Sequence, residues 1–311
     1  MKLAFMFPGQ GSQHVGMGRG LYDAFAEVKS LYEEASATLG YDMAKLSFEG
    51  PENELNLTMR TQPALLTASV AALRALELKG IRPDAVAGHS LGEYSAIVAA
   101  GALSFPDALR ITEYRGKLMQ EAVPEGKGLM AAVLGMDRGP VDDACASVTS
   151  GYVAPANYNC PGQIVIAGET GAVEEAMEKL KEAGAKRVVP LAVSVPSHSK
   201  MMDEAAKALS DHLFLGDIEM KDPAIPVICN SEASLLRTAD GIKAALVRQL
   251  NSPVLWEYSI AAMVNEGIET FIEVGPGKVL SGLVKRCSKD ARILNVQDPE
   301  SLEKTVSELN A

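Results

Sequence analysis

The sequence predicts an α/β fold in two parts: a large domain on a parallel-rich sheet, residues 1–126 and 195–311, and a small βαββαβ unit, residues 127–194, inserted into it. Three observations carry this. Short apolar runs at residues 3–7, 84–87, 225–229 and 270–274 are separated by amphipathic helical stretches, the alternation expected of a parallel sheet covered by helices. Gly88-His89-Ser90-Leu91-Gly92 stands between one such run and a helical stretch. It fits Gly-x-Ser-x-Gly, the turn that lifts a serine hydroxyl above an α/β-hydrolase-like sheet. From residue 128 to 193 the order becomes strand, helix, strand, strand, helix, strand, the ferredoxin-like split unit.

The elements follow in order. Residues 3–7 read as a first strand, ending in Pro8-Gly9-Gln10-Gly11-Ser12-Gln13, a loop that can present backbone N–H groups to an anion or oxyanion. It is not a dinucleotide fingerprint, because the third glycine would fall at His14, and no Gly-Lys-Ser/Thr phosphate loop occurs. Helical patterns cover residues 21–39 and 62–79, the second with Leu65, Leu66, Ser69, Leu73 and Leu76 on one stripe and with Gly80 and Pro83 as stops. The strand at 84–87 leads through the serine turn into a helix over 93–100, closed by Gly101, and a further helix spans 105–123. Strands at 128–135, 152–157, 163–168 and 186–193 and helices at 139–148 and 172–183 make the small unit. The large domain resumes at Pro196-Ser197-His198-Ser199, with helices at 200–213, 241–250 and 256–265, and Gly275-Pro276-Gly277 opens a basic helix carrying Lys278, Lys285 and Arg286.

Composition excludes several classes. A chain of 311 residues, 47% hydrophobic, can bury a large core. Its net charge of −11 argues against general binding to nucleic acid or anionic membranes, which depends on Lys and Arg. Cys145, Cys160, Cys229 and Cys287 form no metal-ligand spacing or redox pair and read as reduced thiols. The apolar start at residues 3–7 is too short for a signal or a membrane span. A cytoplasmic, soluble protein is expected.

A serine at its ordinary pKa needs a base within hydrogen-bond reach. Four histidines are available. His89 adjoins the serine, but the turn sends neighbouring side chains apart; His212 reads as solvated on a helix; His14 borders the glycine loop with nothing to fix it. His198, at the junction of the two parts where a cleft is expected, is the best base. No acid stands out as a third member. Asp203 and Asp217 are weak candidates, and an amide or carbonyl orienting the imidazole is at least as good a reading. The oxyanion hole is expected from the N–H of Leu91, directly after the nucleophile, and that of Gln10 in the glycine loop. Arg115 is open to two readings, a solvated surface arginine or a clamp for a carboxylate.

The residues resemble the malonyl-CoA:acyl carrier protein transacylase family. The resemblance rests on Phe7-Pro8-Gly9-Gln10-Gly11-Ser12-Gln13, Thr61-Gln62-Pro63-Ala64, Gly88-His89-Ser90-Leu91-Gly92-Glu93-Tyr94, Arg115-Gly116 with Met119-Gln120, Asn159-Cys160-Pro161-Gly162-Gln163, Val195-Pro196-Ser197-His198 and Glu273-Val274-Gly275-Pro276-Gly277-Lys278, in family order from end to end. It implies Ser90 as nucleophile, His198 as base, Gln10 and Leu91 as the oxyanion hole and Arg115 as partner of the malonyl carboxylate. It also implies that the Gln249 main chain supports the histidine, and that Gln249 and Gln62 belong to the substrate site. Malonyl-CoA and acyl carrier protein are the implied partners, in fatty-acid or polyketide synthesis, through a seryl ester and a ping-pong transfer with no metal or cofactor, and a monomer is expected. Cys160, where serine is common, and Ser199 after the histidine depart from the pattern without touching a catalytic role. An acidic carrier would need a local basic surface, for which Lys186, Arg187, Lys278, Lys285, Arg286 and Lys289 are candidates. A serine thioesterase or hydrolase shares the same elbow and histidine, and a non-catalytic carrier-binding subunit shares the fold.

Overall fold

The computed structural model describes residues 2–124, 126–191 and 195–310. Its ten strands among these residues are β1 (Lys2–Phe7), β2 (Ala85–Gly88), β3 (Gly128–Leu134), β4 (Val153–Cys160), β5 (Gln163–Glu169), β6 (Arg187–Pro190), β7 (Val227–Ile228), β8 (Leu235–Leu236), β9 (Ile268–Val274) and β10 (Arg292–Val296). A six-stranded sheet has the order β10-β9-β1-β2-β7-β8, parallel throughout except for the short β7–β8 pair.

The central strands are apolar on both faces because helices cover both. In β1, Phe5 and Phe7 point into one core while Ala4 and Met6 point into the other, as the period of two requires. Helices Ala26–Leu39, Thr58–Leu78, Phe105–Ala122, Asp203–Leu215 and Ala239–Asn251 pack around the first core. Helices Trp256–Asn265 and Val279–Cys287 cover the second, with Trp256 fully buried in it.

The other sheet has the order β4-β5-β3-β6, antiparallel throughout. With its two helices Arg138–Ala146 and Thr170–Glu182 it is the split βαββαβ arrangement. Those helices cover one face; on the other, Met130 and Val165 face a cavity beside the large sheet. Part of its attachment to the large domain is backbone: Tyr158 N–H donates to Val254 O at 2.8 Å and Val254 N–H to Ala156 O at 2.9 Å.

Several expected boundaries move. The helix read over 21–39 is two, Arg19–Ala24 and Ala26–Leu39, because Phe25 is extended (φ −127°, ψ 126°). The helix expected from residue 62 begins at Thr58: a proline reads as a helix start, yet Pro63 sits a full turn inside. The strand expected over 186–193 is β6, Arg187–Pro190, and the part at 192–194 lies outside the described residues. Strand β10 and the helices Met43–Glu49, Glu52–Leu55 and Pro299–Leu309 are not among the expected elements, although the last is amphipathic, with Leu302, Val306 and Leu309 on one face, and opens on a capping box at Asp298. Among the described residues, no helix is long and apolar enough to cross a membrane.

The serine turn requires its glycines. A methyl group on Gly92 would stand 2.0 Å from the Phe7 carbonyl oxygen, and one on Gly88 would stand 1.9 Å from the Gly92 carbonyl. Both neighbours are main chain and cannot swing aside. We expect Gly92→Ala to lower stability by more than about 3 kcal/mol. Gly282→Ala, on an exposed helical position with no atom within 4 Å of the new methyl, should instead gain about 0.5–1 kcal/mol. Urea unfolding midpoints of the two variants check this.

Candidate active site

Ser90 lies two residues past the end of β2 and adopts a left-handed conformation, φ 52°, before helix Gly92–Ala99 begins. For a residue with a β-carbon this is unfavourable, and side-chain amides hold it in place. Ser90 N–H donates to Asn230 Oδ1 at 2.7 Å, and Asn230 Nδ2 donates in turn to Gly88 O at 2.6 Å. On the other side Gln249 Nε2 donates to Ser90 O at 2.8 Å. The turn is gripped at both ends.

His198 is also left-handed, φ 60°, with its N–H bonded to Leu250 O at 2.9 Å. Its Nε2 lies 2.8 Å from Ser90 Oγ and its Nδ1 lies 2.6 Å from the main-chain oxygen of Gln249. A carbonyl oxygen can only accept, so Nδ1 carries the proton and Nε2 is free to accept from the serine hydroxyl. The third member is thus a carbonyl. Asp203 instead accepts from Asn251 Nδ2 at 2.8 Å on the surface, and no described contact brings Asp217 to the imidazole.

Burial, followed by the charge of Arg115, pushes His198 down to about 3, against a smaller upward pull from the Gln249 carbonyl. The imidazole is neutral, the form a general base must have. Burial also lowers His89, whose Nε2 lies 2.9 Å from Asn159 Oδ1 and whose ring meets Trp256 edge-on at 5.5 Å. His14 is exposed beside the loop, and His212, expected to be solvated, is half-buried against Tyr114 at a ring distance of 4.6 Å.

The reading of Arg115 as a solvated side chain is corrected: it is 1% exposed, on the inward face of helix Phe105–Ala122. One terminal nitrogen donates to Gln249 Oε1 at 2.8 Å and lies 3.4 Å from Ser90 Oγ, while Nε is buried without a hydrogen-bond partner. Burial lowers the Arg115 pKa, offset in part by Tyr94 and Glu93, and the group remains a cation. A buried guanidinium with a spare donor beside the nucleophile suits an anionic ligand.

Ser90, His198 and Gln10 line a cavity of about 550 Å³, together with His89, Met119 and Asn159. Among the described residues, the main-chain N–H groups of Gln10 and Leu91 make no hydrogen bond within the protein. Gln62 does not line the cavity: it is fully buried, its Nε2 against the sulfur of Met119 at 3.3 Å and its Oε1 without a partner. The Gln249 side chain is likewise buried beneath the serine rather than on the cavity wall. Among the described residues, no three His, Cys, Asp or Glu side chains are grouped to hold a metal ion.

The acyl transferase domain family matches residues 4–305. A malonyl CoA-acyl carrier protein transacylase of Bacillus subtilis (strain 168) is 51% identical, with 99% of this chain and 97% of the relative covered. The chain belongs to the malonyl-CoA:acyl carrier protein transacylase family. Among solved structures, an acyl carrier protein S-malonyltransferase from Vibrio cholerae matches with a TM-score of 0.95 at 48% identity, covering 98% of this chain and 100% of that one. A malonyl-transacylase in complex with its type II PKS acyl-carrier protein matches with a TM-score of 0.96, also at 48% identity, covering 99% and 100%.

Sequence reasoning missed Asn230 and Glu93. Asn230 lies just past β7, where functional side chains of parallel sheets collect, and that position was its signal. Glu93 is an acid in an otherwise apolar helix and is completely buried.

The depressed His198 has a consequence for stability. Its pKa is about 3 in the folded protein and near 6.5 unfolded, so the unfolded chain binds the extra proton between those values and stability falls as pH falls below 6.5. At pH 4.5 the cost is of order 2 kcal/mol. His198→Gln should therefore lose less stability than the parent between pH 7 and 4.5, measured as the change in urea midpoint.

Proposed function

We propose that this chain moves a malonyl group from coenzyme A to the phosphopantetheine thiol of acyl carrier protein through a malonyl ester on Ser90. The observation that carries the reading is the conjunction of an activated serine, Oγ 2.8 Å from His198 Nε2, with a buried cation 3.4 Å from the same oxygen. The first feature supplies acyl transfer and the second selects an acyl group that bears a carboxylate.

Ser90 Oγ attacks the thioester carbonyl while His198 Nε2 takes its proton. The negative charge that develops on the carbonyl oxygen rests on the N–H groups of Gln10 and Leu91, which have no partner among the described residues. The C–S bond breaks, and His198 returns the proton to the departing coenzyme A thiolate. The carrier thiol then gives its proton to His198 and its sulfur attacks the seryl ester; the C–O bond to Ser90 breaks, His198 returns the proton to Ser90 Oγ, and the carrier leaves as the malonyl thioester. Throughout, the free donors of Arg115 hold the malonyl carboxylate; an acetyl group would leave them unpaired. Met119 lines the cavity and Gln62 sits behind it, so Gln62 acts on the acyl group only through that side chain.

The proposal extends to organisation. Residues 127–194 form the inserted subdomain, residues 1–126 and 195–311 form the catalytic domain, and the protein works as a cytoplasmic monomer. Val279, Leu280 and Leu283 of helix Val279–Cys287 line the cavity. The exposed cations on and beside that helix, Lys278, Lys285 and Lys289, would meet the acidic carrier. Arg286 has another use, donating to Gln163 Oε1 at 2.9 Å and Pro161 O at 2.7 Å across to the antiparallel sheet.

Intact-protein mass spectrometry after brief mixing with malonyl-CoA tests the reading. One malonyl adduct is expected, stable alone, discharged by acyl carrier protein, and absent in Ser90→Ala; an adduct lost equally fast without the carrier would make the protein a hydrolase instead. In Arg115→Ala the malonyl adduct should form at least about a hundredfold more slowly, while acetyl loading rises relative to it. Charge reversal of Lys285 and Lys289 should raise the KM for the carrier severalfold and leave that for malonyl-CoA unchanged, a separation that steady-state kinetics with each substrate varied would read.

A further inference from the structure

Glu93 is a buried acid that the transfer mechanism does not use. It is 0% exposed, in the first turn of helix Gly92–Ala99, three residues after the nucleophile. Its two oxygens reach the two residues that grip the serine turn. Oε2 accepts from Gln249 Nε2 at 2.5 Å, and Oε1 accepts from the main-chain N–H of Asn230 at 3.3 Å.

We propose that Glu93 is a positioning residue for carboxylate-bearing substrates: its carboxylate fixes the Gln249 side-chain amide with nitrogen toward Glu93 and the Ser90 carbonyl and oxygen toward Arg115, which sets the guanidinium at the edge of the nucleophile. The inference rests on the reading of Arg115 as the malonyl partner.

Donors and acceptors fix the orientation of the amide. An ionised carboxylate only accepts, so the end of the amide facing it must be NH2. That nitrogen also donates to Ser90 O at 2.8 Å, and the remaining end, Oε1, accepts from Arg115 at 2.8 Å. Reversing the amide would set NH2 against the guanidinium and oxygen against two acceptors. A neutral side chain at position 93 relaxes the constraint, because a glutamine there could donate to Gln249 and stabilise the reversed amide, leaving only Ser90 O and Arg115 to favour the native one. Arg115 would then lose its shorter side-chain acceptor, and that nitrogen would keep only its 3.4 Å approach to Ser90 Oγ.

Burial raises Glu93 to about 7, opposed by the bonds from Gln249 and Asn230 and then by the charges of Arg115 and Arg248, so the acceptor-only form is the one present above that pH. Arg248 is itself paired with Glu232 at 3.0 Å, on the surface. Of the carboxylates, Glu93 is the one whose charge acts on Arg115. It offsets that cation without touching it, and so leaves the donors of Arg115 for the ligand.

The test compares two rates on the full chain: malonyl loading of Ser90 from malonyl-CoA, and labelling of Ser90 by a neutral fluorophosphonate, which needs the serine and histidine but not Arg115. In Glu93→Gln the ratio of malonyl loading to labelling is expected to fall more than about tenfold, with the loss in KM for malonyl-CoA exceeding the loss in kcat. Glu93→Asp, which keeps a carboxylate but withdraws it by one methylene, should lower the ratio about threefold and covers the case in which the glutamine variant is insoluble. A ratio within twofold of the parent in either soluble variant overturns the proposal, as does a parallel fall of both rates, the mark of a merely structural role. If the parent itself is labelled by the fluorophosphonate but takes no malonyl group, the malonyl reading fails, and this inference with it; a parent that loads malonyl while the variants keep its ratio leaves that reading standing and sinks only the role of Glu93.

Discussion

The structure depends on one unfavourable backbone conformation, the left-handed turn at Ser90. Raising the hydroxyl above the strand ends costs local energy, and the surrounding residues are arranged to hold it there. Gly88 and Gly92 let β1, β2 and the following helix approach to distances that no β-carbon would survive. Asn230 and Gln249 then close hydrogen bonds on the Ser90 N–H and C=O, respectively. Gln249 serves twice more, with its main-chain oxygen on His198 and its side-chain oxygen on Arg115. Ser90, His198 and Arg115 are therefore fixed relative to one another through a single residue that does not line the cavity.

The use of a carbonyl where hydrolases often place an acid follows from the same crowding. Arg115 and a neutral His198 share a dry site in which each charge is expensive, and burial together with the arginine keeps the imidazole unprotonated. A carboxylate on Nδ1 would pull the other way and would compete for the arginine. The carbonyl fixes the tautomer while adding no charge.

Much of the fold was legible because its signals are local. Leu3 to Phe7, the serine turn and the alternation after Gly128 each fix an element from a few residues, and the resulting strand orders match an α/β sheet and a split antiparallel unit. Boundaries shifted where tertiary contacts override local preference, as at Phe25 and Pro63. Near the C-terminus β10 went unread because an edge strand with half-buried positions gives little signal, while the helix after it was legible, from its capping box at Asp298 and the stripe Leu302, Val306 and Leu309, and was overlooked. In the site, the Ser90–His198 pair was found by elimination among four histidines. Glu93 and Asn230 were missed because their roles are exerted on the backbone of another element, and Arg115 was left between two readings because burial of a lone cation is invisible to helical spacing.

The cavity beside the serine is walled from both sheets, Met130 and Val165 on one side and Leu280 and Leu283 on the other. Between the two parts run the backbone pairing at Val254, the reach of Arg286, and side-chain bonds from His89 to Asn159 and from Arg138 to Tyr258. A molecule seated in the cavity touches both walls and adds to these ties. Occupancy acts as mortar: the filled protein should melt at a higher temperature than the empty one.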